Sequence, residues 1–163
     1  MHTALITGSF DPITVGHMQL VESASRLFEQ VYLLICANTE KNTGAFHPED
    51  RAAIARKAVE NYSNVQVAIC GGLVSDFAAQ VEAKYLVRGL RSGVDFDYEY
   101  DLAGIMKRFD STLETIFLPA DPNLACVSAT YVRDLLKYGC SLEGSVPVGC
   151  EEMIRTLYRK NHG

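Results

Sequence analysis

The sequence has no apolar run approaching the ~20 residues that a bilayer-spanning helix requires; its longest, Val31 to Ala37, is the length of a strand. Its first residues, Met1-His2-Thr3-Ala4-Leu5-Ile6-Thr7, lack the basic start and long apolar stretch of a signal peptide. No membrane association is expected, and the cytoplasm is the expected location. No CxxC pair occurs among the five cysteines at 36, 70, 126, 140 and 150, and their odd number suits neither a disulfide framework nor a zinc knot. Cys36 and Cys70 close apolar, strand-like runs and read as packing residues, whereas Cys140 and Cys150 flank a loop and are expected to be more exposed. A basic excess is missing too: the net charge is −5, while a general nucleic-acid binder is usually basic, so no nucleic-acid partner is expected. A small anionic substrate is compatible with that charge only if its cationic partners are gathered locally. Linkers, repeats and low-complexity stretches are absent, as are GxxxxGK[ST] and GxGxxG, which excludes a P-loop and the usual dinucleotide fingerprint.

What is present is a chain of 163 residues, 48% hydrophobic and 21% charged, enough for one domain over residues 1–163 with a sizeable core. Short apolar runs rich in β-branched residues alternate with longer amphipathic stretches. The pattern predicts strands at 3–7, 31–37, 65–69, 85–88 and 114–118, and helices at 17–29, 48–62, 73–83, 95–109, 128–138 and 149–160. Met18, Val21, Ala24, Ser25 and Phe28 fall close to one face of the first helix; Pro48 and the acids after it suit the first turn of the second. Strand–helix alternation implies right-handed crossovers, and strands that are apolar throughout imply a sheet covered on both sides. The expected fold is therefore α/β: a Rossmann-like, doubly wound, mostly parallel five-stranded sheet with helices on both faces. In such a sheet the ligand lies beyond the carboxyl ends of the strands, which directs attention to the residues after Thr7, Ala37, Ile69, Val87 and Leu118.

After the first strand comes Gly8-Ser9-Phe10-Asp11-Pro12-Ile13-Thr14-Val15-Gly16-His17. Gly8 permits a tight or positive-φ turn and close backbone approach to a ligand. Ser9 offers a hydroxyl and an N–H to a phosphate, and Gly16 removes a side chain where a helix begins. His17 lies in the first helical turn, where unpaired N–H groups and the helix dipole favour anions. Asp11 would repel a phosphate unless its carboxylate bonds backbone N–H groups, so its expected role is to hold the loop. Taken alone, a glycine–histidine pair would be a turn and a helix start; ten such residues at the ligand-binding edge point further. The segment resembles the G-[ST]-F-D-P-x-x-x-G-H signature of bacterial phosphopantetheine adenylyltransferases, the family's form of the HxGH nucleotidyltransferase motif, with Thr14 in place of the first histidine.

The other strand exits extend the resemblance over nearly the whole chain. Lys41, by itself a surface lysine, stands where the family has a lysine contacting the phosphates of both substrates. Phe46 to Arg51 resembles F-[ST]-x-E-E-R, with His47 in place of the usual hydroxyl cap. Leu73 and Val74 follow Gly71-Gly72, where the family sets an apolar wall against the pantetheine arm, while Phe77 is expected to pack between helix and sheet. Residues 88–99 resemble R-G-[LI]-R-x-x-x-D-[FY]-[ED]-Y-E. Two arginines three apart at a strand exit also suit a polyphosphate in their own right, since guanidinium forks bind phosphate bidentately. Leu102 and Ile105 belong to a segment similar to L-A-x-M-N-[RK], with Met106 where the family usually has Asn. Leu124-Ala125-Cys126-Val127-Ser128-Ala129-Thr130 leads into a segment resembling I-S-S-S-x-[VL]-[RK], with Ala129 for the middle serine and Ser128 a natural N-cap.

The resemblance implies transfer of AMP from ATP to 4′-phosphopantetheine, giving dephospho-coenzyme A and pyrophosphate. It implies His17, Lys41 and Arg91 as catalytic residues. ATP would meet Ser9, Phe10, His17, Gly89, Leu90, Arg91, Glu99 and residues 124–130; phosphopantetheine would meet Ser9, Lys41, Leu73, Val74, Arg88, Leu102 and Ile105. It further implies Mg2+ bound through substrate phosphates, with no metal ligand named among the residues, and a homohexamer. Two alternatives stay open from the sequence: another small-molecule nucleotidyltransferase, such as a nicotinate mononucleotide enzyme, which would need aromatic stacking for a pyridine ring, and an ATP-sensing regulator without turnover.

Overall fold

The structure, a computed structural model, describes residues 1–37 and 44–163. Strands β1 (Thr3–Gly8), β2 (Gln30–Cys36), β3 (Val65–Cys70), β4 (Tyr85–Leu90) and β5 (Glu114–Pro119) alternate with helices α1 (Val15–Leu27), α2 (Pro48–Ala58), α3 (Val74–Gln80) and α4 (Gly93–Phe109). A 3-10 turn at Pro122–Leu124, α5 (Ala129–Lys137) and α6 (Glu151–His162) complete the chain. The five strands form one sheet in the order β3-β2-β1-β4-β5, and every pairing is parallel. This is the expected Rossmann-like architecture. Among the described residues, no helix is long and apolar enough to cross a membrane.

Strand alternation divides the apolar residues between two faces. Ala4, Ile6, Val31, Leu33, Ile35 and Val87 point to one side, where α1, α2, α5 and α6 bring Val21, Ala24, Ile54, Ala55, Val132, Leu136 and Ile154. Leu5, Leu34 and Leu86 point to the other side, a smaller core with Ala78 and the partly buried Val74 and Phe77 of α3 and Met106 of α4. Phe77 meets Tyr32 edge-on at 5.6 Å, in the packing role expected of it. Met106, at the family's amide position, serves as a packing residue here.

Element ends depart from the sequence pattern for local reasons. Helix α1 starts two residues early because Thr14 caps it, and ends at Leu27 because Phe28 turns extended and buries its ring. Helix α2 has Pro48 in its first turn, as expected, and stops at Ala58 rather than continuing to 62. Helix α3 is shorter than 73–83 and is followed by Glu82 at φ +54. Cys150 contradicts its expected exposure. It is wholly buried at the start of α6, its Sγ 4.0 Å from the carbonyl of Ile54, because α6 packs onto α2. Asn161 Nδ2 donates to Asp50 Oδ2 across the same helix pair at 3.0 Å.

Ile154, with no exposed surface, is the main apolar anchor of α6. Ile154→Ala should destabilise the protein by ~2–5 kcal/mol through lost burial and a residual cavity. Chemical denaturation checks this; a change below ~1 kcal/mol would mean that α6 does not belong to the cooperative core.

Candidate functional site

The chain runs outward from β1 through β2 to β3, then returns to the other side of β1 with β4, so the winding reverses between β1 and β4. At such a switch point the carboxyl ends of the strands leave a crevice. Here it is a cavity of about 400 Å³ lined by Thr7 to Phe10, by Thr14, Gly16 and His17 at the start of α1, by Arg88, Gly89 and Arg91, and by Ser128 to Thr130 at the start of α5. Two helix N-termini thus converge on one space, each presenting N–H groups without helical partners. Arg88, Arg91 and Arg133 also line it, against Glu99, the one carboxylate among the described lining residues. A chain with net charge −5 has gathered its cations where an anion would sit.

The floor of the site depends on Asp11, which is buried as expected of a loop-holding residue. Its carboxylate accepts the N–H groups of Phe46 at 2.9 Å and Ala45 at 2.8 Å, and pairs with Arg51 Nε at 3.2 Å. Arg51, itself buried, donates to the Phe46 carbonyl at 2.8 Å, and Arg133 Nη1 donates to the Asp11 carbonyl at 2.7 Å. Gly44 is required here: a Cβ would fall 1.6 Å from Arg51 Nη2. Of the two conformations that Gly8 permits, the positive φ is not used; it falls on Phe10, at +45, whose ring is buried under the loop. Gly8 is needed because a Cβ would press on that ring at 3.2 Å.

His17 is held by a reciprocal cap. Its backbone N–H points to Thr14 Oγ1 at 3.4 Å, and its Nδ1 accepts the Thr14 backbone N–H at 3.0 Å. An N–H can only donate, so Nδ1 carries no proton and the ring proton lies on Nε2. The ring stands edge-on to Phe10, centroids 4.9 Å apart. Burial, and then the positive charge of Arg91, lower its pKa from 6.5 to about 4. The cationic form, one of two open from sequence, is thereby disfavoured near neutral pH: His17 is a neutral donor.

Arg88 is more heavily engaged than its expected phosphate role implied. Nε and Nη2 bind the two oxygens of Glu99, each at 2.7 Å, while Nη1 donates to the carbonyl and hydroxyl of Thr7 at 2.8 and 2.9 Å. One N–H of Nη2 is left over from the five of the guanidinium. Glu99, expected on the adenosine side, lines the cavity as the partner of Arg88. Arg91 packs its charge near Asp95 at 3.6 Å with half its side chain exposed. Ser128 caps α5 by accepting the Tyr131 N–H at 3.1 Å, and Thr130 Oγ1 accepts from Arg133 Nη2 at 3.0 Å.

Of the residues expected to bind, Ser9, Phe10, His17, Arg88, Gly89, Arg91, Glu99, Leu124, Val127, Ser128, Ala129 and Thr130 line the cavity. Leu90 does not; its carbonyl accepts the Ala120 N–H at the end of the sheet. Ala125 and the exposed Cys126 form the turn before α5 and also lie off its lining. Leu73, Val74, Leu102 and Ile105 lie apart from it on α3, α4 and their approach; Leu73 and Ile105 are half exposed. Lys41 lies outside the described residues. Sequence reading passed over Thr7, Thr14 and Arg133. A hydroxyl three residues before a polar N3 residue signals a cap such as Thr14–His17; nothing local marks Thr7 or Arg133, whose partners are far along the chain.

Raising the pH in an NMR titration should show the His17 ring losing its proton near pH 4. Because the unfolded ring binds that proton below 6.5 and the folded ring refuses it down to about 4, this group's contribution to stability is complete above 6.5 and is lost as pH falls through that window. Arg91→Ala should raise the midpoint. A folded-state midpoint at 6.5 would mean that the ring is solvated and the cap does not hold it.

Comparison with known proteins identifies the family. Residues 5–135 match the cytidylyltransferase-like family. A phosphopantetheine adenylyltransferase of Streptococcus agalactiae is 41% identical over 145 residues, 88% of this chain and 89% of its own. That of Psychromonas ingrahamii is 35% identical over 161 residues, 99% of each chain, and that of Symbiobacterium thermophilum 36% over 160 residues, 98% of each. A crystal structure named for a nicotinate-nucleotide adenylyltransferase of Vibrio parahaemolyticus superposes with a TM-score of 0.75 at 18% identity, covering 98% of this chain and 97% of that one; this likeness concerns the fold. The fold, the arginine-lined crevice and relatives matched along almost their full length agree: the chain belongs to the phosphopantetheine adenylyltransferase family of cytidylyltransferase-like nucleotidyltransferases.

Proposed function

We propose that the cavity between β1 and β4 transfers AMP from ATP to 4′-phosphopantetheine, giving dephospho-coenzyme A and pyrophosphate. The observation that carries this reading is the meeting, in one cavity, of a neutral His17 donor, two helix N-termini and three arginines. An oxygen of the 4′-phosphate attacks the α-phosphorus of ATP, the bond from that phosphorus to the bridging oxygen of the leaving group breaks, and pyrophosphate departs. No covalent enzyme intermediate is needed; positioning and charge neutralisation supply the catalysis. His17 donates from Nε2 to the α-phosphate as charge develops, and Arg91 faces the β- and γ-phosphates. Arg88 offers the incoming phosphate its remaining N–H and its charge, while Thr7 and Glu99 fix its plane. The N-termini of α1 and α5 add backbone donors along the triphosphate, and the family resemblance gives Lys41 a role toward the phosphates of both substrates.

Magnesium fits this reading through the substrate phosphates. Both oxygens of Glu99 are bound by Arg88, and among the described residues no group of three His, Cys, Asp or Glu is placed to hold an ion. When bound, the ion would offset phosphate charge. The pantetheine arm would run toward Leu73, Val74, Leu102 and Ile105, outside the cavity. A pyridine ring fits the cavity less well: apart from His17, its only aromatic ring among the described residues is Phe10, which is 1% exposed. The cytoplasm suits the reaction. A homohexamer suits α4, which has no fully buried residue and leaves Val94, Phe96, Tyr98, Tyr100, Ile105 and Phe109 exposed. Sedimentation should give six times the chain mass, and a monomer would remove that part of the reading.

A pyrophosphate-release assay tests the reaction. Release should require both ATP and phosphopantetheine; release with ATP and nicotinate mononucleotide, or none with any acceptor, would overturn the assignment. His17→Ala should lower kcat by at least ~10², the effect of removing one well-placed transition-state donor. Arg88→Ala should raise KM for phosphopantetheine far more than KM for ATP. Equal effects would mean that the two substrate ends have been exchanged.

A further inference from the structure

The placement of Thr14 reaches beyond its part in the loop. It is 1% exposed, has an extended backbone (φ −120, ψ 171) and is the N-cap of α1. Both halves of its reciprocal bond end on one residue, His17. In the common form of this cap the residue at the third helical position contributes a carboxylate or amide, which serves only to close the turn. Here that position holds an imidazole that also lines the cavity, so the bond closing the turn fixes the ring as well. Thr14 Oγ1 lies 3.1 Å from Nδ1, in addition to the backbone N–H at 3.0 Å. Since that N–H must donate, Nδ1 must accept. We propose that Thr14 is a positioning residue for adenylyl transfer: its cap locks His17 in the neutral tautomer protonated on Nε2 and keeps that N–H directed into the cavity.

The surroundings favour the same tautomer. From the loop, the Phe10 ring meets His17 at a steep angle of 69°, centroids 4.9 Å apart, and the cavity beyond carries Arg91, Arg88 and Arg133 against Glu99, which Arg88 already binds. A second proton on the ring would have to sit on Nδ1, facing the Thr14 N–H donor to donor, in a site already rich in cations. With the cap loosened, the ring can rotate about its side-chain bonds or exchange tautomer, and the donor aimed at the α-phosphate is lost for part of the time. Such a loss falls on the turnover step, where the donor matters most, more than on binding of ATP, which many other groups share.

The inference rests on the adenylyl-transfer reading for what the Nε2 proton meets, but not for how the ring is held, so two measurements separate the two. Nitrogen-15 NMR of the wild-type imidazole at pH 7 should give the pattern of a neutral ring protonated on Nε2, with a pyridine-like Nδ1. A ring protonated on Nδ1, or a cationic ring, overturns the proposal whatever reaction is catalysed. In the two-substrate assay, Thr14→Val should lower kcat by roughly tenfold, the scale of losing one helix N-cap contact, while KM for ATP changes little. The same variant, which keeps the Thr14 N–H but loses both Oγ1 contacts, should show the imidazole nitrogen signals broadened by ring motion. Thr14→Ser, which keeps the hydroxyl, should restore both readouts. Thr14→Val added to His17→Ala should cost nothing further, because the two residues act as a unit. Wild-type turnover in Thr14→Val overturns the proposal. So does a full additional loss in the double variant, which would mean that Thr14 supports the fold rather than the histidine.

Discussion

The buried pair of Asp11 and Arg51 is the constraint on which the site depends. A carboxylate withdrawn from water must have its oxygens satisfied, and this one takes two backbone N–H groups and a guanidinium. Each partner comes from a different place: Ala45 and Phe46 precede α2, Arg51 lies on α2, and Arg133, bonded to the Asp11 carbonyl, lies on α5. The loop after β1, the approach to α2 and the start of α5 therefore take up fixed positions together. An acidic residue beside a cluster of arginines would ordinarily cancel part of their charge; here its charge is taken up by Arg51 and two backbone N–H groups below the surface, and its effect on the cavity is geometric.

Cations in the cavity are managed by the same economy. Arg88 is pinned by Thr7 and Glu99, so its plane is set before any ligand arrives and little rotamer entropy is lost on binding. Arg91 is looser and more exposed, suited to the outer end of a triphosphate. His17 adds no charge at neutral pH; it adds a directed donor. The division leaves one pinned guanidinium, one looser guanidinium and a neutral hydrogen-bond donor in the same cavity.

Several of these features were visible in the amino-acid order. The alternation of apolar strands with amphipathic stretches was enough for the parallel, doubly wound sheet, because burial on both faces demands strands apolar throughout, such as Val31 to Cys36. The residues after β1 and β4 could be singled out because a sheet of that kind binds at its carboxyl edge, and Gly8, Ser9, His17, Arg88 and Arg91 stand there. The need for Asp11 to bond backbone followed from charge alone. Cys150 was misjudged because nothing adjacent to it records that α6 folds back over α2, a contact between residues some hundred positions apart.

What the sequence by itself determined is therefore the periodic and the local: fold class, the loop that lines the crevice, the residue types available to it. The tertiary structure alone decided partnership. That Arg88 spends four N–H groups on Thr7 and Glu99, that Asp11 chooses Arg51, and that His17 is neutral with its proton on Nε2 all depend on distances of about 3 Å between groups set by long-range packing. Hydrogen bonds and desolvation act only over such distances, and the order of residues along a chain does not encode them until the chain has folded.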